Sequence, residues 1–337
     1  MRKFLAAIRA NDWWEYKFPP MVAIAYIIIL DTPYTLFSLL PLLMACVGAV
    51  IVCAIYVSLL NDATDVAEDA RAGKKNGMAA YHSAQRTILV LLPLIAGGCI
   101  IAVLGKPFFY ASLFYAAAYI AFTLYSLPPF RFKKRGMAGI IADALGSQVF
   151  PTLFIAICFY QRTHQQIPVL SSAFLAIWLF CFGMRGILWH QLADKENDKT
   201  SGLVTIVQKI NEVQLARLAT GIVVVEITAF ATYVLLNSLF SIIPGLLVYL
   251  VYNWLLQKCF QVEQVLVSPK NKGYRIFLFE YYQVFLPLSV LIVCVYKNPV
   301  NITGLLLHCL LFPSNMLKIL GEVKKIVRIT VAGIRHR

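Results

Sequence analysis

Residues 37–60 read FSLLPLLMACVGAVIVCAIYVSLL, and residues 61–69, directly after them, read NDATDVAED. A helix needs roughly 20 mostly apolar residues to cross the hydrocarbon core of a bilayer, and the first stretch meets that length without a charge. The second puts several carboxylates just where such a span would leave the membrane. Similar apolar runs recur along the chain. The expected spans are Glu15–Leu30, Phe37–Leu60, Ile88–Gly105, Phe108–Tyr125, Ala138–Tyr160, Val169–Trp189, Leu215–Leu236, Leu239–Leu256 and Ile276–Tyr296, with a weaker tenth from Ile302 to Leu320. The 337 residues are 60% hydrophobic and 14% charged, too few charges to cover a soluble domain of this size. The ten-residue alternating segments of a transmembrane barrel are missing. The fold class is therefore an all-α, polytopic membrane protein.

Smaller signals refine this. Pro19 and Pro20 predict an irregular inner end to the first span. Trp13, Trp14 and Tyr16 look like an interfacial anchor. The short apolar stretch after Met1-Arg2-Lys3 does not read as a cleavable signal. The eight cysteines lie mostly in apolar runs without a CxxC pair, which argues against a disulfide framework or a zinc site.

The basic residues set the expected orientation. With the N-terminus inside, only Lys106, Arg162 and Lys297 fall in outer turns, and the remaining Lys and Arg collect on the inner side. The expected location is a prokaryotic inner membrane, with N-terminus and acidic clusters cytoplasmic. The net charge of +14 then fits an anionic bilayer surface and an anionic substrate, and needs no nucleic acid.

Two acidic clusters fall on that inner side. In the first, Asp62, Asp65 and Asp69 share a helical face at spacings of three and four, and Asn61, Asp65 and Asp69 repeat every four. Carboxylates so placed repel one another unless a cation sits among them, and oxygen donors suit magnesium. In the second, Asp194 and Asp198 are one helical turn apart, after His190 and Gln191 and before Gly202. Two such helices facing each other could clamp metal and one diphosphate. Tyr125-Ser126-Leu127-Pro128-Pro129-Phe130-Arg131, running on to Lys133, Lys134 and Arg135, adds phosphate-seeking cations and an aromatic ring on the same side.

At these residues the chain resembles the UbiA-type intramembrane prenyltransferase superfamily. Asn61, Asp62, Asp65 and Asp69 match its NDxxDxxxD motif. Asp194 and Asp198 match its DxxxD motif with following Gly202, and residues 125–135 are similar to its YSxPPxRxKR segment. Gln191 stands where many relatives carry a third acid, and His190 where an aromatic residue is common. The resemblance implies nine helices around a central cavity (a membrane domain over 1–296, with 297–337 an additional C-terminal helix and basic tail). It also implies two magnesium ions bridging the acidic motifs to a prenyl diphosphate.

The expected function is magnesium-dependent prenyl transfer from an allylic diphosphate to an acceptor resembling an aromatic quinone precursor. Asn61, Asp62, Asp65, Asp69, Asp194 and Asp198 would hold metal. Arg131 and Lys133, with Arg9 and Lys17, would bind the diphosphate, and Tyr125 would face the allylic cation. Asp143, His190 and Gln191 are candidates for the acceptor pocket. A terpene cyclase would use the same clamp without an acceptor. A transporter would use Glu226, in the middle of the seventh span, as coupling acid and the clusters as cation sites, but the acids collect on one side beside basic residues and no pair of interrupted helices lies near the midplane; Glu226 is readable as a helix–helix contact or a proton acceptor. The Asn301-Ile302-Thr303 sequon is discounted.

Overall fold

A computed structural model describes residues 8–195, 199, 205–267 and 273–335. The chain is an integral, multi-pass helical membrane protein. Helices α1 (Trp14–Ile29), α2 (Leu40–Arg71), α3 (Ser83–Leu104) and α4 (Phe109–Ser126) come first. Span α5 (Met137–Arg162) runs through a π-helical turn at Leu145–Val149. Then follow α6 (Val169–Ala193), α7 (Glu212–Leu236), α8 (Ile243–Phe260) and α9 (Tyr281–Lys297), the last opening with a π-helical turn at Tyr281–Phe285. Helix α10 (Ile302–Leu311), of ten residues, and the longer α11 (Pro313–Arg335) close the chain. Among the described residues, α2 to α7, and α8 with the turn before it, are long and apolar enough to cross a membrane, whereas α1 and α9 are shorter.

Helix α1 is apolar all round, and every residue from Phe18 to Ile29 is buried. A helix without a polar face belongs in the middle of its fold, and α1 packs against α5 and α9 as a central post. Helix α3 is peripheral, with Ile88, Leu92, Ile95 and Val103 all exposed, as a lipid-facing helix requires.

The predicted irregularity at Pro19 and Pro20 is not found, because α1 is continuous through both. A proline inside a helix leaves the carbonyl four residues earlier without its donor. Here those carbonyls find side chains: Asn315 Nδ2 donates to Glu15 O at 3.1 Å, and Gln283 Nε2 to Tyr16 O at 3.4 Å. The prolines thus open two docking points, for α11 and α9.

The expected tenth span from Ile302 to Leu320 is not one straight helix. The chain bends by 86° around Phe312, between α10 and α11. The bend is braced by the start of α1. Trp14 Nε1 donates to Leu311 O at 2.7 Å, and the Glu15 carboxylate accepts from Ser314 N and Asn315 N at 3.0 and 2.9 Å. Asn301 is buried, accepting from Leu36 N and donating to Cys294 O, so its amide is fully engaged and the sequon is not an open acceptor.

Beyond the expected end of its span at Leu60, α2 continues unbroken to Arg71. That extension carries the first acidic cluster on a rigid helix rather than on a loop. After α8 the chain forms a two-stranded parallel sheet, β1 (Glu263–Val265) with β2 (Tyr274–Ile276), in the register Glu263 to Tyr274.

Candidate active site

One cavity of about 1210 Å³ opens at the end of the bundle where α1 begins and α2 and α6 end. Two close helix approaches shape its wall. A Cβ on Gly183 of α6 would lie 2.9 Å from the Ala144 backbone of α5, and one on Gly146 would lie 2.7 Å from the Phe122 ring of α4. Both positions need glycine for the helices to meet at this distance. The π turn at Leu145–Val149 lies beside them and delivers Ser147 and Gln148 to the cavity.

The acidic extension of α2 supplies one side. Asn61, Asp62, Asp65 and Asp69 all line the cavity, as spacings of three and four on one helix require. Each carboxylate has partners. Asp62, 4% exposed, accepts from Gly77 N at 3.2 Å and lies 3.6 Å from Arg9 Nη1. Asp69 accepts from Asn76 Nδ2 at 2.7 Å, and the same amide donates to Asp62 O. Asp65 meets Lys133 Nζ at 2.5 Å and Arg131 Nη2 at 3.1 Å. Lys133 also donates to Asn61 Oδ1 and Thr64 Oγ1, at 3.1 and 3.0 Å.

Lys133 lies outside the spans and is 6% exposed. Burial pushes its ammonium pKa below the ordinary lysine value, and the Asp65 carboxylate partly opposes that shift.

The facing side comes from α6 and the segment after β1. His190, Gln191 and Asp194 at the end of α6 line the cavity, and Asp194 lies 3.4 Å from Lys74 Nζ in the segment after α2. Asp198 and Gly202 lie outside the described residues. Arg9, Lys17, Tyr125 and Asp143 are also cavity residues, Asp143 with Ser147 Oγ 3.5 Å away. Arg131, with Lys134 and Arg135 of the same segment, is set back from the cavity. It lies behind Asp65, donating to Thr64 O at 3.2 Å and pairing with Glu68 at 3.0 Å.

Among the described residues, no three His, Cys, Asp or Glu side chains stand close enough together to form a metal site unaided. Lysine and arginine take the positions a cation would fill: Arg9 at Asp62, Lys133 at Asp65 and Lys74 at Asp194. The donor set itself, carboxylates and one amide oxygen around a single space, fits a hard divalent ion.

Some of the site was not visible in the sequence. Asn76-Gly77 has the composition of a turn, but its grip on Asp62 and Asp69 depends on the fold. Tyr274, Arg275 and Phe279 reach the cavity from the segment around β2 and α9. That segment is tied down by Arg185, which the charge pattern counted among inner-side cations. Arg185 is fully buried on α6. It pairs with Glu226 of α7 through two hydrogen bonds of 2.7 and 2.5 Å, and its Nη1 donates to Phe277 O at 2.8 Å and Leu266 O at 3.3 Å. Glu226 is therefore a helix–helix contact. Phe279 then stacks on the guanidinium, 4.9 Å from ring centre to Cζ.

A sequence profile of the UbiA prenyltransferase family matches residues 19–279. No curated protein matches the chain in sequence. The fold is similar to solved structures of a UbiA homolog from Archaeoglobus fulgidus. The form bound to GPP and Mg2+ aligns with TM-score 0.59 and 15% identity, covering 87% of this chain and 99% of that one. The form bound to DMAPP and Mg2+ gives 0.57 and 16% at the same coverage, and the form bound to Cd2+ gives 0.57 and 16% over 87% and 98%. At this identity the likeness establishes the helical bundle fold.

Proposed function

Because the chain belongs to the UbiA prenyltransferase family, we propose that its cavity takes an allylic prenyl diphosphate and transfers the prenyl group to an aromatic acceptor. The observation that carries this reading is the meeting, in one cavity, of carboxylates from α2 and α6 with the buried Lys133 ammonium. The similar archaeal structures contain prenyl diphosphates with Mg2+, which supports the same substrate class here. Magnesium would be held by Asn61, Asp62, Asp65, Asp69 and Asp194, with Asp198 beyond the described residues, and would supply charge neutralisation to the departing diphosphate.

The chain's own residues account for the rest. Lys133 binds diphosphate oxygens, with Lys17 and Arg9 lining the same cavity. Arg131 holds Asp65 and Glu68 in place from behind. When the allylic C–O bond breaks, its electron pair goes to the diphosphate oxygen, so these cations bind the transition state more strongly than the ground state. The allylic cation left behind is enclosed by rings, with Phe122 and Tyr125 on α4 and Phe182 and Phe279 across the cavity. Phe182 and Phe279 pack edge to face at 4.9 Å and offer the cation an aromatic neighbour in place of water. An acceptor carbon or oxygen then forms the new bond and loses a proton, and Asp143 and His190 are among the cavity groups able to receive it. We place this face of the protein on the cytoplasmic side, since it carries most of the basic residues.

The test is release of diphosphate from a labelled prenyl diphosphate by purified protein, with and without a panel of aromatic acceptors. Asp65→Ala and Asp194→Ala are expected to abolish magnesium-dependent release while leaving the protein folded in micelles. Wild-type turnover in either variant refutes the assignment. A cyclised hydrocarbon formed without acceptor assigns the cavity to cyclisation instead of transfer.

A further inference from the structure

Helix α11 has three chemically distinct sides. Stepping 100° per residue, Asn315, Ile319, Glu322 and Ile326 fall on one side. Ile319 and Ile326 are buried there in a small core with Tyr252, Leu256 and Val284, and Glu322 accepts from Tyr252 Oη and from Arg275 Nη2. The adjoining side carries Leu320, Val323 and Val327, exposed to 60%, 41% and 55%. The third side carries Lys318, Lys324, Lys325 and Arg328, all exposed. Leu317 and Ile329 are the exposed apolar side chains outside the apolar side.

The placement of the helix gives these sides a meaning. Helix α10 exposes Leu306 and Leu310 along the bundle wall, where a membrane protein meets lipid. Helix α11 turns away from it by 86°, at the end of the bundle where α1 begins and the cavity opens. Trp14 and Glu15 fix that bend through the carbonyl of Leu311 and the amides of Ser314 and Asn315. A helix running across the bundle at this level, apolar on one side and basic on another, suits the interface between acyl chains and headgroups.

We propose that α11 lies in the plane of the membrane at the cavity face and binds anionic lipid. Leu320, Val323 and Val327 enter the acyl-chain boundary, and Lys318, Lys324, Lys325 and Arg328 meet the negatively charged headgroups. The lipid-bound helix is coupled to the cavity through a chain of two ion pairs. Glu322 holds Arg275, which Glu280 holds from its other side at 2.7 Å, and both Arg275 and Glu280 line the cavity rim. The proposal is independent of the reaction assigned to the cavity, because it rests on the helix alone.

The experiment uses the full chain reconstituted into vesicles of phosphatidylcholine with or without phosphatidylglycerol. An environment-sensitive fluorescent amino acid is placed at Leu320 in one preparation and at Lys325 in another. Bromine-labelled acyl chains are expected to quench the probe at 320 and to leave the probe at 325 largely unquenched. Energy transfer from position 320 to acyl-labelled phosphatidylglycerol should exceed that to labelled phosphatidylcholine by about twofold or more, and should fall to parity in high salt. The quadruple variant K318Q/K324Q/K325Q/R328Q should show parity without added salt. Equal quenching at the two positions, or equal transfer to the two lipids in the unmodified chain at low salt, overturns the proposal. The salt arm reads the same property in the native sequence, so the test stands even where the variant folds poorly.

Discussion

Replacing Lys133 by Met removes a buried ammonium while keeping most of the side chain's bulk. Its nitrogen lies 2.5 Å from Asp65 Oδ1, 3.1 Å from Asn61 Oδ1 and 3.0 Å from Thr64 Oγ1. A hydrogen bond to a charged group is worth about 1.5–3 kcal/mol. If Lys133 contacts the diphosphate, losing that bond weakens binding of a prenyl thiodiphosphate analogue by roughly 10- to 150-fold. The same change removes one of the two cations at Asp65 and leaves Arg131 Nη2 at 3.1 Å. Magnesium then displaces less positive charge, so its affinity in the absence of diphosphate should rise. Calorimetric titration of each ligand into purified protein measures both effects. Their opposite directions are the diagnostic result, since a variant that merely loosened the site would weaken both ligands. Unchanged analogue affinity, or magnesium affinity that falls together with it, would refute the role given to Lys133.

The pH dependence of the same residue has a definite sign. Burial lowers the Lys133 pKa, and the group binds phosphate only while protonated, so kcat/KM should decline on the alkaline side at a lower pH than an ordinary lysine would impose. Lys133→Arg stays charged throughout and should move that limb upward, and superimposable profiles count against the assignment. Glu226→Ala leaves the Arg185 guanidinium buried without its carboxylate, at a cost of about 3–5 kcal/mol. The double variant R185M/E226L should recover part of that, short by about 1–3 kcal/mol for the Phe277 and Leu266 carbonyls that lose the Arg185 donor. Equilibrium unfolding in mixed micelles reads both values, and simple additivity of the single variants would contradict the pairing. Glu15→Ala removes two acceptor contacts from the first turn of α11, worth about 1 kcal/mol. Faster hydrogen exchange at the Ser314 and Asn315 amides is the expected outcome, and unchanged exchange would show that the cap is dispensable.

The membrane class and the acidic motifs were legible in the sequence because both are local patterns: apolar length for the spans, and three-and-four spacing for Asp62, Asp65 and Asp69. What escaped depends on partners distant along the chain. Pro19 and Pro20 predict a break, and only Asn315 and Gln283 explain why none occurs. Arg185 looks like an inner-side cation until Glu226, 41 residues away, is placed against it. The run from Ile302 to Leu320 has the apolarity of a span; Pro313 is a local breaking signal at its middle, but that Trp14 and Glu15 fix the turn at Phe312 depends on the fold. Arg131 and Lys133 are indistinguishable as motif cations, yet one lines the cavity and the other braces it from behind.

The widened turns at Leu145–Val149 and Tyr281–Phe285 both contribute to the cavity, through Ser147 and Gln148 on one wall and Gln283 on another. A π turn holds one residue more than the α turn it replaces. Deleting that residue would let the turn close as an ordinary α turn while the helix beyond keeps its register, because the widening absorbs the extra residue within one full turn. On α5, Phe154, Ile155 and Cys158, all wholly buried, would keep their neighbours, and the change would fall on Ser147 and Gln148, which the widened turn delivers to the cavity. Single-residue deletions at these two places should therefore leave the bundle standing while reshaping the cavity wall, so that chain length there serves the site more than the fold.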